Sequence, residues 1–204
     1  MTEPLSPQPL PALALEGLSQ RTLEEHYKLY REYVNRANEL RVRLAALDRA
    51  TPPAPLSRDL GQILADLTGT LNAIRNHELY FANLGGRGGR AYGRVAELLD
   101  RDYGSFEHWT TDFTAAALAA PAWVWLVLDL ADGRLRLTTG QSDQSAPGWE
   151  VCPVLGLDLC EHAYVIDFGV DRLAYIRAFL RNVDWDDVNQ RVLRAERLWS
   201  ASQT

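Results

Sequence analysis

Between Ser19 and Leu84 the chain carries two long apolar stripes of helical period, parted by the proline-rich stretch TPPAPLS, and this leaves few folds open. The first stripe runs through Leu23, Tyr27, Tyr30, Val34, Ala37, Leu40, Leu44 and Leu47. The second runs through Leu60, Ile63, Leu64, Leu67, Leu71, Ile74, Phe81 and Leu84. Apolar residues three and four apart line one face of a helix, and each face must be buried against something. The three prolines of TPPAPLS stop the first helix, Ser19 with Thr22 and Glu25 offers capping chemistry at its start, and Ser57 is the expected cap of the second. Residues 19–84 are therefore expected to form an antiparallel helical hairpin.

The remaining chain reads differently. Residues 1–18 contain four prolines and no helical period, which predicts an extended arm laid over the domain. GGRGGR, following the second helix, lacks the preceding strand and the Lys-Ser/Thr pair of a phosphate loop and reads as a joint. Two helices are expected over Val95–Arg101 and Ser105–Ala119. Alternation around Asp132-Gly133 predicts a hairpin with strands Trp123–Leu130 and Arg134–Thr139. HAYVIDF is expected as a third strand, and the C-terminal stretch returns to helix with a break near Asn182 to Asp184. The fold class is α+β: an arm and N-terminal antiparallel helical hairpin over 1–88, then a C-terminal α/β domain over 89–204 with a small three-stranded antiparallel sheet surrounded by helices.

A net charge of -6 and a pI near 5.2 argue against nucleic acid or an anionic membrane as partner, because both are held mainly by clustered Lys and Arg. No run approaches the roughly 20 apolar residues of a membrane span, and no basic leader precedes an apolar run, so a cytoplasmic location is expected. Cys152 and Cys160 form no Cys-x-x-Cys pair and are expected as buried thiols.

The chemistry lies in the histidines, of which there are four. His26 falls on the apolar stripe of the first helix, between Leu23 and Tyr30. His77 falls on that of the second, between Ile74 and Phe81. One such histidine is usually a satisfied core group; two on adjacent helices of a hairpin point to a ligand. Asp158 and His162, four apart in LGLDLCEHAYVIDF, can face one ion from a turn or bend. A buried carboxylate needs a partner or a metal. Three imidazoles with one carboxylate suit zinc, manganese or iron and not calcium or magnesium. His108 falls on a polar face and is left out.

These residues resemble the iron and manganese superoxide dismutases. That family's pattern Asp-x-Trp-Glu-His-Ala-Tyr is matched at Asp158 to Tyr164 at every fixed place but one, and LPAL, NHELYF, GSFEHW, AWVWLV, RLAYIRAF and VDWDDVNQR add matches in order between about residues 9 and 198. The resemblance implies that His26, His77, Asp158 and His162 bind one redox ion, which oxidises one superoxide to oxygen and reduces a second to peroxide, each electron matched by a proton. It also implies Arg172 as a source of local positive charge and Glu161 as a contact to a two-fold partner. A homodimer is expected, with a tetramer as the further possibility.

Several positions depart from the family. Tyr30 stands where a histidine is usual, and Tyr33 comes seven residues after His26 where the family's tyrosine comes eight after. Seven steps at 100° leave Tyr33 within about 20° of His26, so it can still approach the pocket, and the missing residue implies a regular first helix where relatives carry a bulge. Val165 replaces a tyrosine that bonds across the dimer. Cys160 replaces a tryptophan of the pocket wall, a loss that Trp123, Trp125 or Trp149 can fill. A glutamine that bonds the bound solvent is expected at Gln144, with Gln141 the less well aligned choice. Gln144 and Gly156 point to manganese as the cofactor, one ion per subunit, with iron as the alternative. The alternative function is a catalytically weakened or inactive metal-binding relative with a structural or interaction role; a different metal oxidoreductase is a third reading.

Overall fold

The computed structural model describes residues 3–10, 14–50 and 53–202. Helix α1 (Gln20–Ala46) is α-helical throughout, as the missing residue implies, and the Ser19 hydroxyl accepts from the Thr22 amide at its start. Helix α2 (Pro53–Ala82) begins four residues before Ser57, which corrects the expected cap. Prolines at 53 and 55 are compatible with the first turn of a helix, where the amide has no intrahelical acceptor to lose. The first two residues of TPPAPLS, and most of the LPAL match, lie outside the described residues.

The arm follows the hairpin in extended form. Leu5 exchanges backbone hydrogen bonds with the Asn38 side chain, and Gln8 donates to the Tyr30 hydroxyl while its carbonyl accepts from Tyr27. Further on, Glu16 exchanges two backbone bonds with the Asn182 side chain.

After the hairpin come α3 (Gly93–Tyr103), α4 (Phe106–Ala119), β1 (Trp123–Asp129), β2 (Leu135–Gly140) and β3 (Val151–Asp158). Helices α5 (Val165–Phe168), α6 (Arg172–Arg181) and α7 (Trp185–Ser202) follow. The sheet is antiparallel in the order β2-β1-β3. Its central strand is buried from Trp123 to Leu128, with both faces covered. The Asp132-Gly133 hairpin is present, with a longer loop than expected: the ladder closes at Leu128 opposite Leu135, and Gly133 takes a left-handed φ of 69°.

The third strand is Val151–Asp158 and not HAYVIDF, which forms a 3-10 turn (Glu161–Ala163) and α5. Pro153 argues against a strand in sequence, but it sits on an edge strand where the register slips between Leu126 and Val127, a place where a missing amide is tolerated. Gly156 lets α2 approach: a Cβ there would come within 2.9 Å of Leu79 and 3.1 Å of Trp125.

The glycine joint is clamped to the α6–α7 break. Gly85 and Gly86 donate to the Asn182 carbonyl and Gly88 to that of Val183, and Leu84 forms an isolated bridge with Val183. A side chain at Gly86 or Gly88 would collide with the backbone of 181–184. The glycines serve close backbone packing between the end of the hairpin and the C-terminal helices.

Candidate metal centre

Each expected ligand comes from a different element. His26 projects from α1 and His77 from α2, both fully buried. Asp158 ends β3 opposite Trp123, and His162 lies in the 3-10 turn that follows. Three bonds shape that connection: Leu159 donates to the Ala122 carbonyl, the Cys160 amide to Asp158 Oδ1, and the Ala163 amide to the Cys160 carbonyl. The Tyr175 hydroxyl donates to the Asp158 backbone carbonyl at 2.7 Å. Asp158 and His162 are thus brought onto one side by a strand end and a tight turn.

Three imidazoles converge on one carboxylate oxygen. His162 Nε2 lies 3.0 Å from Asp158 Oδ2, His26 Nε2 3.1 Å and His77 Nε2 3.8 Å. One ligand atom from each of the four residues lies within 4.8 Å of the others. His77 Nδ1 donates to the Ala73 carbonyl at 2.7 Å, which leaves Nε2 as the lone-pair nitrogen; it is buried and has no hydrogen-bond partner among the described residues. A buried acceptor left open beside a carboxylate and two further imidazoles suits a divalent or trivalent transition-metal ion.

The electrostatics agree. Burial lowers His77 to about 4 and lowers His26 as well, so both are neutral, as metal ligation requires. Burial works to raise the Asp158 carboxyl, but the hydrogen bonds from His162 and His26 outweigh it and hold the group well below the usual carboxylate range. Aromatic rings close the inner side: Tyr80 and Phe81 pack on His26, and Trp123 meets His77 edge-on with centroids 5.6 Å apart. Solvent reaches the set through His162, whose side chain is 27% exposed. His108 is exposed and apart from the cluster.

The pattern described as iron/manganese superoxide dismutases, C-terminal domain, matches residues 91–191. An iron superoxide dismutase of Cupriavidus metallidurans is 36% identical over 187 residues, covering 90% of this chain and 92% of the relative. A manganese enzyme of Halobacterium salinarum is 32% identical, covering 94% and 95%, and an iron enzyme of Aquifex aeolicus 31%, covering 92% and 90%. The chain belongs to the iron/manganese superoxide dismutase family.

Around the four-residue cluster of this dismutase-family chain, the expected neighbours are arranged in ways the sequence only partly indicated. Tyr33 does approach the site, its ring 5.5 Å from that of His77, and its hydroxyl donates to Asp143 Oδ2 at 2.7 Å. Asp143 was not anticipated. It lies in the β2–β3 loop and accepts from the Cys160 thiol on its other oxygen at 2.9 Å. Gln144, one residue on, is exposed, and its side-chain amide lies against Gly69 of α2. Gly69 is eight residues before His77, a rise of ~12 Å along the helix. Gln144 therefore does not face the cluster, and Gln141 is exposed as well. No periodic signal fixes the register of a loop, so a one-residue difference there was invisible in sequence.

Tyr30 is fully buried, its hydroxyl bonded to Glu78 and Gln8, and burial pushes it up to about 12. Cys160 packs beside Asp143, while Trp123 and Trp125 are buried and stacked 5.8 Å apart. Trp149 is almost wholly exposed and fills no wall. Arg172 Nη2 donates to the carbonyls of Ala120, Pro121 and Leu159, which ties the segment before β1 to the one carrying the cluster, while its Nε is buried without a hydrogen-bond partner among the described residues. Glu161 and Val165 are exposed.

Proposed function

We propose that His26, His77, Asp158 and His162 hold a single manganese or iron ion and that the chain is a superoxide dismutase. The convergence of three imidazole nitrogens and one buried carboxylate, in a chain of this family, carries the reading. Once bound, the ion supplies one-electron chemistry, oxidising one superoxide to oxygen and reducing a second to peroxide. The protein's own contributions are positional. The Ala73 carbonyl fixes the tautomer of His77, and the Cys160 amide and Tyr175 hydroxyl fix Asp158 on its side chain and backbone. Burial excludes water from the inner face, so a small anion enters past His162, Tyr33 and Cys160. Burial also raises the Tyr33 phenol, which keeps its proton at neutral pH.

Manganese remains the proposed ion, with iron as the alternative; the support is Gly156, since Gln144 lies away from the cluster. A homodimer is proposed from the exposed Glu161, Val165, Ile166 and Val170, an apolar and acidic surface next to the outward edge of His162. A tetramer would stack two such dimers. The unpaired Cys152 and Cys160 support a reducing compartment, the cytoplasm. Superoxide is the proposed substrate, and the acidic composition supports neither nucleic acid nor an anionic membrane as partner. Among the described residues no helix is long and apolar enough to cross a membrane.

Metal analysis of the purified protein, with dismutation assayed after loading manganese or iron, tests the reading. One ion per chain with rapid superoxide removal is expected. Absence of both metals with all four residues intact would overturn it, and metal without turnover would select the inactive, structural alternative.

A further inference from the structure

At the mouth of the four-residue cluster, three chemically different donors meet. Asp143 comes from the β2–β3 loop, and Cys160 and His162 from the turn after β3. One donor atom from each, a carboxylate oxygen, a thiol sulfur and a ring nitrogen, lies within 4.8 Å of the other two. Ligand atoms around a tetrahedral zinc ion sit about 3.5 Å apart, given bonds of about 2.0–2.3 Å. The three donors therefore need only small shifts to share one ion. Cys160 Sγ already touches Asp143 Oδ1 at 2.9 Å, and the Tyr33 hydroxyl holds Oδ2 at 2.7 Å, which leaves Oδ1 to face an ion. Ligating carboxylates are commonly braced in this way by a hydrogen bond on the second oxygen.

The outer three residues differ from the inner four in access and in chemistry. His26, His77 and Asp158 are buried, whereas Asp143, Cys160 and His162 are all partly exposed, so an ion arriving from solvent meets the outer three first. A sulfur donor favours zinc over manganese, which prefers oxygen. A thiolate and a carboxylate together balance the charge of a divalent ion, the imidazole is neutral, and the fourth tetrahedral position stays open to water. Binding there replaces the thiol proton by the ion and releases that proton to solvent. His162 belongs to both groups, and a neutral imidazole has one lone-pair nitrogen, so it serves one ion at a time.

We propose that Asp143, Cys160 and His162 form a second, outer site for zinc, and that zinc held there withdraws His162 from the inner four residues and competes with manganese or iron. The competition, though not the outer site itself, rests on the metal site proposed above.

Cobalt(II) is the probe, because a cobalt–thiolate bond gives a near-ultraviolet charge-transfer band that nitrogen and oxygen donors do not. Added to the full-length chain stripped of metal, cobalt should produce this band, and zinc should bleach it. Cys160→Ser should abolish the band and weaken zinc binding more than about tenfold. Cys152→Ser should leave both unchanged. His26→Gln, which removes an inner donor only, should keep the band. Loading manganese first should weaken zinc binding by a similar factor to Cys160→Ser. Absence of the band in wild type overturns the proposal, as does a band that survives in Cys160→Ser or disappears in folded His26→Gln. Equal zinc affinity with and without manganese overturns the competition. If Cys160→Ser does not fold, alkylation of the wild type decides: zinc should slow labelling of Cys160 and not of Cys152, and unchanged labelling of Cys160 overturns the outer site. A chain that binds zinc through Cys160 yet takes up neither manganese nor iron would instead sink the inner-site reading, so the two failures are distinguishable.

Discussion

His26 Nε2 lies 3.1 Å from Asp158 Oδ2, both side chains fully buried, across 132 positions of sequence. That contact joins the helical hairpin to the sheet at a buried carboxylate that takes partners from both. It makes Asp158 the residue on which the site depends most. Asp158→Asn keeps the shape and removes the charge, so metal content should fall by more than the ~10–100-fold typical of changes one layer further from a metal. Metal stoichiometry after dialysis measures this, and full occupancy in the variant would contradict it.

The metal-free protein should lose stability in mild acid through His77. Its folded value is lowered to about 4, whereas in the unfolded chain it titrates near 6.5. Between those pH values the unfolded chain binds the additional proton, so stability falls as pH is lowered from about 6.5 to about 4, by ~3 kcal/mol in total. His162 acts in the opposite sense: its folded value is raised, so its contribution is present below about 6.5 and fades as pH rises through that raised value. Comparing urea unfolding of wild type and His77→Gln across pH isolates the first effect. The variant should show the flatter acid limb, and parallel curves would count against it.

Glycines of the joint and of α2 should respond in opposite directions to alanine. Gly88 has a φ of 55° and its Cβ would strike the Arg181 backbone, so Gly88→Ala should cost more than the ~1–2 kcal/mol of a left-handed alanine alone. Gly61 lies inside α2 with open space around it, so Gly61→Ala should stabilise by ~0.5–1 kcal/mol. Thermal unfolding of both variants reads the difference in sign.

Tyr175→Phe removes the hydroxyl that donates to the Asp158 carbonyl and leaves that buried group short of a partner. A loss of ~1–3 kcal/mol is expected. Metal should dissociate faster from this variant, because the backbone under Asp158 is less firmly held. Chelator-induced release kinetics would show it, and an unchanged rate would mean that the ladder alone fixes the strand end.

The four-residue cluster was legible because helical period constrains direction: His26 and His77 sit on stripes whose burial followed from their neighbours, and Asp158 and His162 are too close in sequence to face far apart. The hairpin and the break before Trp185 were legible for the same reason. The third strand was not. VCPVLGLD carries a proline and a glycine, both of which speak against a strand, and each is accepted for a tertiary reason: a register slip at Pro153 and the close approach of Leu79 and Trp125 at Gly156. HAYVIDF has the better local pattern, but after Asp158 the chain turns at once, with the Cys160 amide bonded back to Asp158 Oδ1. Asp143 lay beyond reach because its place between Tyr33 and Cys160 depends on loop register.

The wide separation of His26 and His77 from Asp158 and His162 also sets a clock. About 80 positions lie between His77 and Asp158, which at ribosomal speeds of ~5–20 residues per second is roughly 4 to 16 s of synthesis. During that interval the emerging hairpin offers two imidazoles of the set and neither its carboxylate nor its third imidazole. The proposed site is complete only once the segment carrying Asp158 and His162 has closed over the hairpin that carries His26 and His77. Until then the nascent chain lacks half of the donors of the proposed site.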